Sequence, residues 1–378
     1  MANLPLELIF HIISSLIEDP RTILQPSDPA TKTLLSFTLV CRATYPVASN
    51  YLREHCAYID DDLRLRQLIY CLESTGGQHH HHGGDNFHDA TSPAPAPAPA
   101  YRLRPLTTLY LAPFARYPID RQSARVMWVR DLLLLAGPAL RRLVIDMPLR
   151  NLDPVDNHLG ERAALRAAFC GLTGLEEFVS VCDALDLDLD PYLDLSRPDW
   201  DSVGEEPPAA PAWESWPGLR RLALYNVAAD SEFWRAVGAM KGLETLVLPR
   251  PDYLNEFCMK SEYLGTRSDG GRGKTGLDAE GEQEVGPPRS LKVIVGDDFD
   301  VETPDDWAGR HKWDRVDPDN IMRVMAYNLR RGNDSHIYQV HTKMAALKGG
   351  IWDWEGPLVT GTPGSDERTA AGLFELEA

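Results

Sequence analysis

Apolar side chains recur at helical spacing in two runs near the start of the chain. The first run consists of Leu8, Ile9, Ile12, Ile13, Leu16 and Ile17. Its steps of one, three and four residues predict an α-helix, with Pro5 in the first turn and Glu7 near the positive end of the helix dipole. The second run consists of Leu34, Leu35, Phe37, Leu39 and Val40. It predicts another short helix, and a third is predicted over 44–55, where Pro46 fits an opening turn. Three small helices cannot bury this much apolar surface among themselves, so we expect part of it to face a partner.

Further along the chain, a short phrase of the form L-x-x-L-x-L recurs. Its copies are LTTLYL at Leu106, LRRLVI at Leu140, LEEFVS at Leu175, LRRLAL at Leu219, LETLVL at Leu243 and a looser LKVIVG at Leu291. Helical patterns closed by Gly or Pro precede several copies, over 123–136, 161–170 and 231–240. The alternation of strand and helix predicts a parallel sheet with helices outside. The irregular spacing resembles a degenerate leucine-rich repeat solenoid with insertions, and a plain α/β layer is the alternative.

The side chains of each phrase alternate between the two faces of the predicted sheet. We expect the first, fourth and sixth residues to fill the core and the third and fifth to face the other side. The fifth positions are Tyr110, Val144, Val179, Ala223, Val247 and Val295. The third positions are Thr108, Arg142, Glu177, Arg221, Thr245 and Val293, a row in which opposite charges would be neighbours.

This second face gives one candidate binding site. We predict that a protein substrate binds in a groove formed by Tyr110, Arg142, Val144, Asp146, Val179, Arg221, Tyr225 and Val247. Two alternatives stay open: valine is simply a good strand former, or a loop or the C-terminal tail covers the row.

The remaining segments are less regular. A helical pattern over 61–73 predicts a bridging helix. Residues 76–100 contain a run of four histidines and a Pro-Ala tract, which predict a disordered insertion; weak binding of a transition metal by the histidines is a less favoured interpretation. The stretches 183–206 and 266–288 are predicted to be exposed loops.

After residue 295, we expect a helix over 321–329, a short strand over 337–340, and an aromatic plug formed by Trp352 and Trp354.

Composition excludes several classes of function. The 378 residues carry a formal charge of −18, which opposes binding to nucleic acid and to anionic membranes. We find neither a run of about 18 apolar residues nor the features of a signal peptide, and therefore expect a cytosolic or nuclear protein. The six cysteines are scattered beside apolar runs, which favours reduced core thiols over disulfides or zinc.

Two motifs resemble ligand-binding sites, one for phosphate and one for calcium, but lack the neighbouring residues that such sites need. The G-x-G-x-x-G phrase at 271–276 has hydrophilic flanks instead of the strand and helix that a phosphate site needs. Asp186, Asp188 and Asp190 resemble the start of a calcium loop, but Pro191 and Arg197 occupy the positions of its Gly and Glu. We therefore predict no cofactor, no metal and no catalytic residues, although a triad assembled from distant positions stays open.

The N-terminal stretch resembles an F-box. The matching residues are Leu4, Pro5, Glu7, Leu8, Ile12, Leu16, Leu35, Val40, Cys41 and Arg42. The connection over 17–34 is longer than usual, and the aromatic residue that often follows Val-Cys-Arg is displaced to Tyr45. The resemblance implies docking onto a Skp-type adaptor of a cullin-RING ubiquitin ligase. The implied contact residues are Leu4, Pro5, Leu8, Ile9, Ile12, Leu35, Val40, Cys41 and Arg42. A helical subdomain packed only on the rest of this chain is the alternative.

Together these observations predict an α + α/β protein. We expect an F-box over 1–56, a bridging helix over 57–75, the disordered insertion over 76–100, degenerate leucine-rich repeats over 101–300, and a C-terminal cap and tail over 301–378. The expected function is non-catalytic: a substrate receptor that binds the adaptor, and through it a cullin, and also an unidentified protein target for ubiquitin-dependent degradation. An F-box scaffold acting outside a ligase is the alternative.

Overall fold

The computed structural model describes residues 4–76, 104–114, 119, 123–152, 160–185, 210–254, 256–269, 290–296, 304–327 and 335–360. Several sequence motifs lie outside these ranges: the histidine run, the Pro-Ala tract, the G-x-G-x-x-G phrase, the three aspartates of the calcium-like loop, and most of the predicted loops over 183–206 and 266–288.

Three short helices form the first part of the chain: α1 (Leu6–Ser15), α2 (Pro29–Thr38) and α3 (Thr44–His55). Helix α3 starts at Thr44 as predicted, whereas α1 starts at Leu6, so that Pro5 occupies the N-cap position and not the first turn. Helix α2 begins before its apolar run because the Asp28 carboxylate accepts a hydrogen bond from the Ala30 N–H and Pro29 occupies the first helical position. Helices α1 and α2 both pack against α3.

An eight-stranded parallel sheet forms the centre of the protein, and its strands are ordered as they occur in the chain. The strands are β1 (Tyr58–Ile59), β2 (Thr108–Leu111), β3 (Arg142–Ile145), β4 (Glu177–Ser180), β5 (Arg221–Leu224), β6 (Thr245–Leu248), β7 (Leu291–Gly296) and β8 (Met322–Tyr327). All six phrases form strands, so the expectation of an α/β protein with a parallel sheet is confirmed. The two-residue strand β1 was not predicted.

The register of the sheet confirms the predicted alignment of five of the six phrases. The sixth phrase, in β7, is shifted by one residue. Arg142, Glu177 and Arg221 are successive partners across β3, β4 and β5, as the third positions require. In β7, however, the partners of Thr245 and Val247 are Lys292 and Ile294, not Val293 and Val295. The prediction was one residue out because LKVIVG lacks the second leucine of L-x-x-L, so its apolar run does not mark which face each residue occupies.

Helices cover one face of the sheet. They are α4 (Asp62–Gly76), α5 (Ser123–Ala136), α6 (Glu161–Cys170), α7 (Ser231–Ala239) and α8 (Met259–Asp269), followed by the short α9 (Pro304–Arg310) and α10 (Trp313–Val316). The helices predicted over 61–73, 123–136, 161–170 and 231–240 are thus confirmed within one to three residues. The apolar side chains of these helices share one continuous core with the fourth residues of the repeated phrases, such as Leu143, Phe178 and Leu222.

Two predictions near the C-terminal end were wrong. The segment predicted as a helix over 321–329 contains strand β8, in which Met322, Val324 and Ala326 are buried and alternate with more exposed residues. The segment predicted as a strand over 337–340 belongs to helix α11 (Ser335–Lys348). A short apolar run fits the period of a helix as well as that of a strand. Pairing with β7 makes the segment 322–327 a strand.

Helix α11 and the turn of 3₁₀ helix that follows it (Gly350–Asp353) cover the other face of the sheet. We call residues 335–354 the C-terminal cover. Trp352 and Trp354 are both buried there, and the Trp354 ring stacks on Tyr327 at a centroid distance of 4.3 Å.

Candidate interaction surfaces

The N-terminal helices leave many large apolar side chains in solvent. Of the nine residues predicted to contact an adaptor, Ile9 is half-buried and the other eight are exposed: Leu4, Pro5, Leu8, Ile12, Leu35, Val40, Cys41 and Arg42. Leu39, which was not predicted as a contact, is 87% exposed, more than any other large apolar residue that the structure describes. We call the exposed residues Leu4, Leu6, Leu8, Ile12, Leu35, Leu39 and Val40 the N-terminal apolar residues.

Few contacts hold α1 against the rest of the molecule. Ile13 is its one fully buried residue, while Leu8 on the opposite side is 50% exposed. Pro5 occupies the N-cap position, where no side chain accepts a hydrogen bond from the first turn. Because α1 buries so little apolar surface, its packing contributes little to the stability of the isolated chain.

The turn between α2 and α3 is fixed by the Thr44 hydroxyl. This group donates a hydrogen bond to the Phe37 carbonyl at 2.7 Å and accepts one from the Cys41 N–H at 3.2 Å. Val40, Cys41 and Arg42 therefore extend into solvent from an ordered turn.

Cys41 differs from the buried thiols in its ionisation. The hydrogen bond from Thr44 and neighbouring backbone N–H groups lowers the pKa of the exposed Cys41 thiol. Burial instead raises the pKa of the Cys182 thiol to about 12. All six cysteines are free, as predicted, although Cys41 and Cys71 are exposed and do not lie in the core.

The predicted substrate groove on the second sheet face is covered. Tyr110, Val144, Val179 and Val247 have no solvent exposure, and Tyr225 and Arg142 are also buried. The apolar side chains among them pack with Ala346, Leu347, Ile351 and Trp352 of the C-terminal cover. The structure therefore agrees with the alternative that the C-terminal segment covers the row. A target protein cannot touch these side chains while the cover is in place.

Polar contacts connect this cover to the sheet beneath it. Asp146, predicted as a groove residue, accepts hydrogen bonds from the Tyr110 hydroxyl at 2.8 Å and from the Lys343 ammonium at 3.0 Å. Burial and the Asp146 charge raise the pKa of Tyr110. Tyr110 thus remains a neutral hydrogen-bond donor beneath α11.

Glu177 is the centre of a second polar contact. It accepts hydrogen bonds from Arg221 at 2.8 Å and from the Trp352 indole N–H at 3.2 Å, and Arg142 lies 3.5 Å away. The Arg142 guanidinium also donates to the Ala346 carbonyl and to the Arg21 carbonyl. The opposite charges predicted to be neighbours therefore pair, and they hold the cover instead of facing solvent.

The C-terminal cover also contacts the segment that connects α1 with α2. The Ile23 N–H donates to the Leu347 carbonyl at 2.7 Å, and Arg21 forms an ion pair with Asp353 at 2.8 Å. On its other side this segment meets α3, where the His55 Nδ1 lies 3.1 Å from the Thr22 carbonyl oxygen. The connection over 17–34, which is longer than usual for an F-box, is thus in contact with both α3 and the C-terminal cover.

Other chemistry finds little support in the part of the chain that the structure describes. No cluster of three or more His, Cys, Asp or Glu side chains suitable for a metal ion occurs there. Nor is any helix within those residues long and apolar enough to cross a membrane.

Comparison with known proteins gives no relative from which a role could be transferred. The chain matches no family model, no curated protein and no solved structure. The surfaces described above are therefore the basis for any assignment of function.

Proposed function

We propose that this protein is a substrate receptor of a Skp-cullin-F-box type ubiquitin ligase, with α1, α2 and the turn before α3 as the adaptor-binding surface. The observation that carries the proposal is the exposure of eight of the nine side chains predicted to contact the adaptor. Large apolar side chains in solvent give nothing to the stability of the isolated chain. Each would contribute roughly 1.5 to 3 kcal/mol if a partner buried it.

The architecture behind these helices supports a binding function. Eight parallel strands in chain order, with helices on one face, are what an irregular leucine-rich-repeat-like solenoid would have. In this proposal the solenoid holds the protein target, and other subunits transfer ubiquitin. The target would bind outside the covered row or would displace the cover.

The test of adaptor binding uses two substitutions on α1. Combining Pro5→Ala with Leu8→Ala is expected to weaken binding to a purified Skp-type adaptor by about 30-fold to 1000-fold, since truncating apolar anchors at an interface costs about 2 to 4 kcal/mol. Isothermal titration calorimetry with the full chain measures the change.

Leu134→Ala is the matched control, because Leu134 is an equally exposed leucine near the end of α5. It is expected to bind the adaptor like the wild type. Unchanged affinity of the Pro5 and Leu8 variant would refute the proposed surface.

A scaffold that binds the adaptor outside a ligase is the second candidate. Reconstitution with adaptor, cullin and RING subunit distinguishes the two, because a receptor enters the complete assembly whereas a scaffold stays with the adaptor alone.

A further inference from the structure

A groove at the far end of the sheet has a charge arrangement that differs from that of strands β3 to β5. Its cavity of about 670 Å³ lies over β6, β7 and β8. The lining residues are Glu244, Ser290, Lys292, Arg323, Met325 and Glu355. Lys292, Arg323 and Met325 occupy the same sheet face as the covered row, but Arg323 is exposed and Met325 is only half-buried.

Two positive charges stand side by side in this groove. Lys292 and Arg323 are register partners on adjacent parallel strands, which places their Cα atoms about 4.8 Å apart. Like charges on neighbouring strands destabilise a sheet. Elsewhere in the same row, the cations Arg142 and Arg221 flank Glu177 and both lie within ion-pair distance of it.

The two cations of the groove have unused hydrogen-bonding capacity. The Lys292 ammonium donates to the Trp352 and Trp354 carbonyls at 3.2 and 3.4 Å, which leaves one of its three protons. The Arg323 side chain makes no hydrogen bond or ion pair with the residues that the structure describes. Five guanidinium N–H donors therefore face the groove or solvent.

The carboxylates that line the groove leave the cation pair available. Glu244 is bonded to Arg220 at 2.8 and 3.0 Å. Glu355 is exposed, and the backbone that follows it is held against β8, where the Ala326 N–H donates to the Pro357 carbonyl at 3.1 Å. Glu355 would repel a ligand rich in acidic groups and would tolerate one that brings a single anion.

We propose that Lys292 and Arg323 form a binding site for one oxyanion, a carboxylate or a phosphate, carried by a segment of a partner protein. Arg323 supplies a fork of donors that matches an oxyanion, Lys292 supplies a point charge beside it, and Met325 offers an apolar contact for the neighbouring side chain. That the partner is the ubiquitination target rests on the proposed function. The anion site itself does not.

The test uses the full chain and three labelled peptides that differ in one residue, Ac-GAXAG-amide with glutamate, phosphoserine or glutamine at X. Fluorescence anisotropy is expected to show binding of the glutamate or the phosphoserine peptide, or of both, at least tenfold tighter than the glutamine peptide. Whichever anionic peptide binds more tightly identifies the source of the oxyanion.

The variant Arg323→Gln is expected to lose this preference at least tenfold, whereas Lys348→Gln, which removes an exposed cation outside the groove, is expected to keep it. Without peptide, the Tm of Arg323→Gln should equal or exceed that of the wild type because a like-charge contact is removed.

Equal binding of the three peptides by the wild type, or an undiminished preference in Arg323→Gln, would overturn the proposal. Adaptor affinity, measured separately, should not change in Arg323→Gln. Failure of the anion site and failure of the adaptor surface are therefore distinguishable.

Discussion

Helices α1 and α7 have similar lengths and apolar stripes, yet they differ in how much of the stripe the protein buries. Helix α7 buries Phe233, Trp234, Ala236, Val237 and Gly238 against the sheet and α8. The Asp230 carboxylate caps its first turn, and the Trp234 indole donates to the Ala229 carbonyl at 3.0 Å. Helix α1 has neither a side-chain cap nor more than one buried residue.

The buried stripe of α7 stabilises the fold, whereas the exposed stripe of α1 is available for binding. An apolar stripe alone predicts a helix, but it does not tell whether the stripe faces the protein's own core or a partner. In α7 the stripe is satisfied within the chain, whereas in α1 it is still exposed.

The strongest test of this comparison is one truncation on each helix. Trp234→Ala is expected to lower the free energy of unfolding by about 3 to 5 kcal/mol, because it removes a fully buried ring. Leu8→Ala is expected to change it by no more than about 0.5 kcal/mol. Urea unfolding followed by circular dichroism measures both. A loss of more than 2 kcal/mol in Leu8→Ala would mean that α1 stabilises this chain and is not primarily a docking helix.

A second test applies the same comparison within α11, which has one buried side and one exposed side. Leu347→Ala is expected to cost about 2 to 4 kcal/mol, because Leu347 packs in the core between the cover and the sheet. Val340→Ala on the exposed side serves as the control, with an expected change below about 0.5 kcal/mol. Similar unfolding curves for both variants would show that the cover is only loosely attached.

The smallest expected effect concerns chemical reactivity and not stability. At pH 8 more of the Cys41 thiol is ionised than of the Cys182 thiol, because the pKa of Cys41 is lowered and that of Cys182 is about 12. Iodoacetamide should therefore alkylate Cys41 well before Cys182 in the folded protein. Peptide mass spectrometry over time gives the order, and equal rates would contradict the described turn. The proposed adaptor, if added before the reagent, should then protect Cys41.

The sequence predicted the structure best where the local preference for a strand and the need to bury the same residues in the core agree. Leucines at fixed spacing marked strands β2 to β6 and their register, because each phrase must place alternate residues in one core. The exposure of Leu8, Leu35 and Val40 followed from having too much apolar surface in too few residues.

The rest depended on contacts between distant segments. Nothing local in 322–327 distinguishes a strand from a helix, and β7 supplies the neighbour that decides it. The covering of Val144 and Val179 likewise depends on α11, which lies more than 150 positions further along the chain. The residues close to β3 and β4 in the sequence cannot reveal that α11 packs on these strands. The cation pair of Lys292 and Arg323 became visible only once the register of β7 was known.

The contact between Arg21 and Asp353 also bears on the order in which the protein matures. It closes a loop of 332 residues, and the nearby contact of Ile23 with Leu347 closes one of similar size. Contacts this distant in sequence form late in folding, and during synthesis they must wait until the second partner has been translated. The N-terminal helices are made first, but these two contacts form only after residues 347–353 have been translated. A chain truncated before residue 347 would thus lack the hydrogen bond and the ion pair that hold the connection between α1 and α2 to the C-terminal cover.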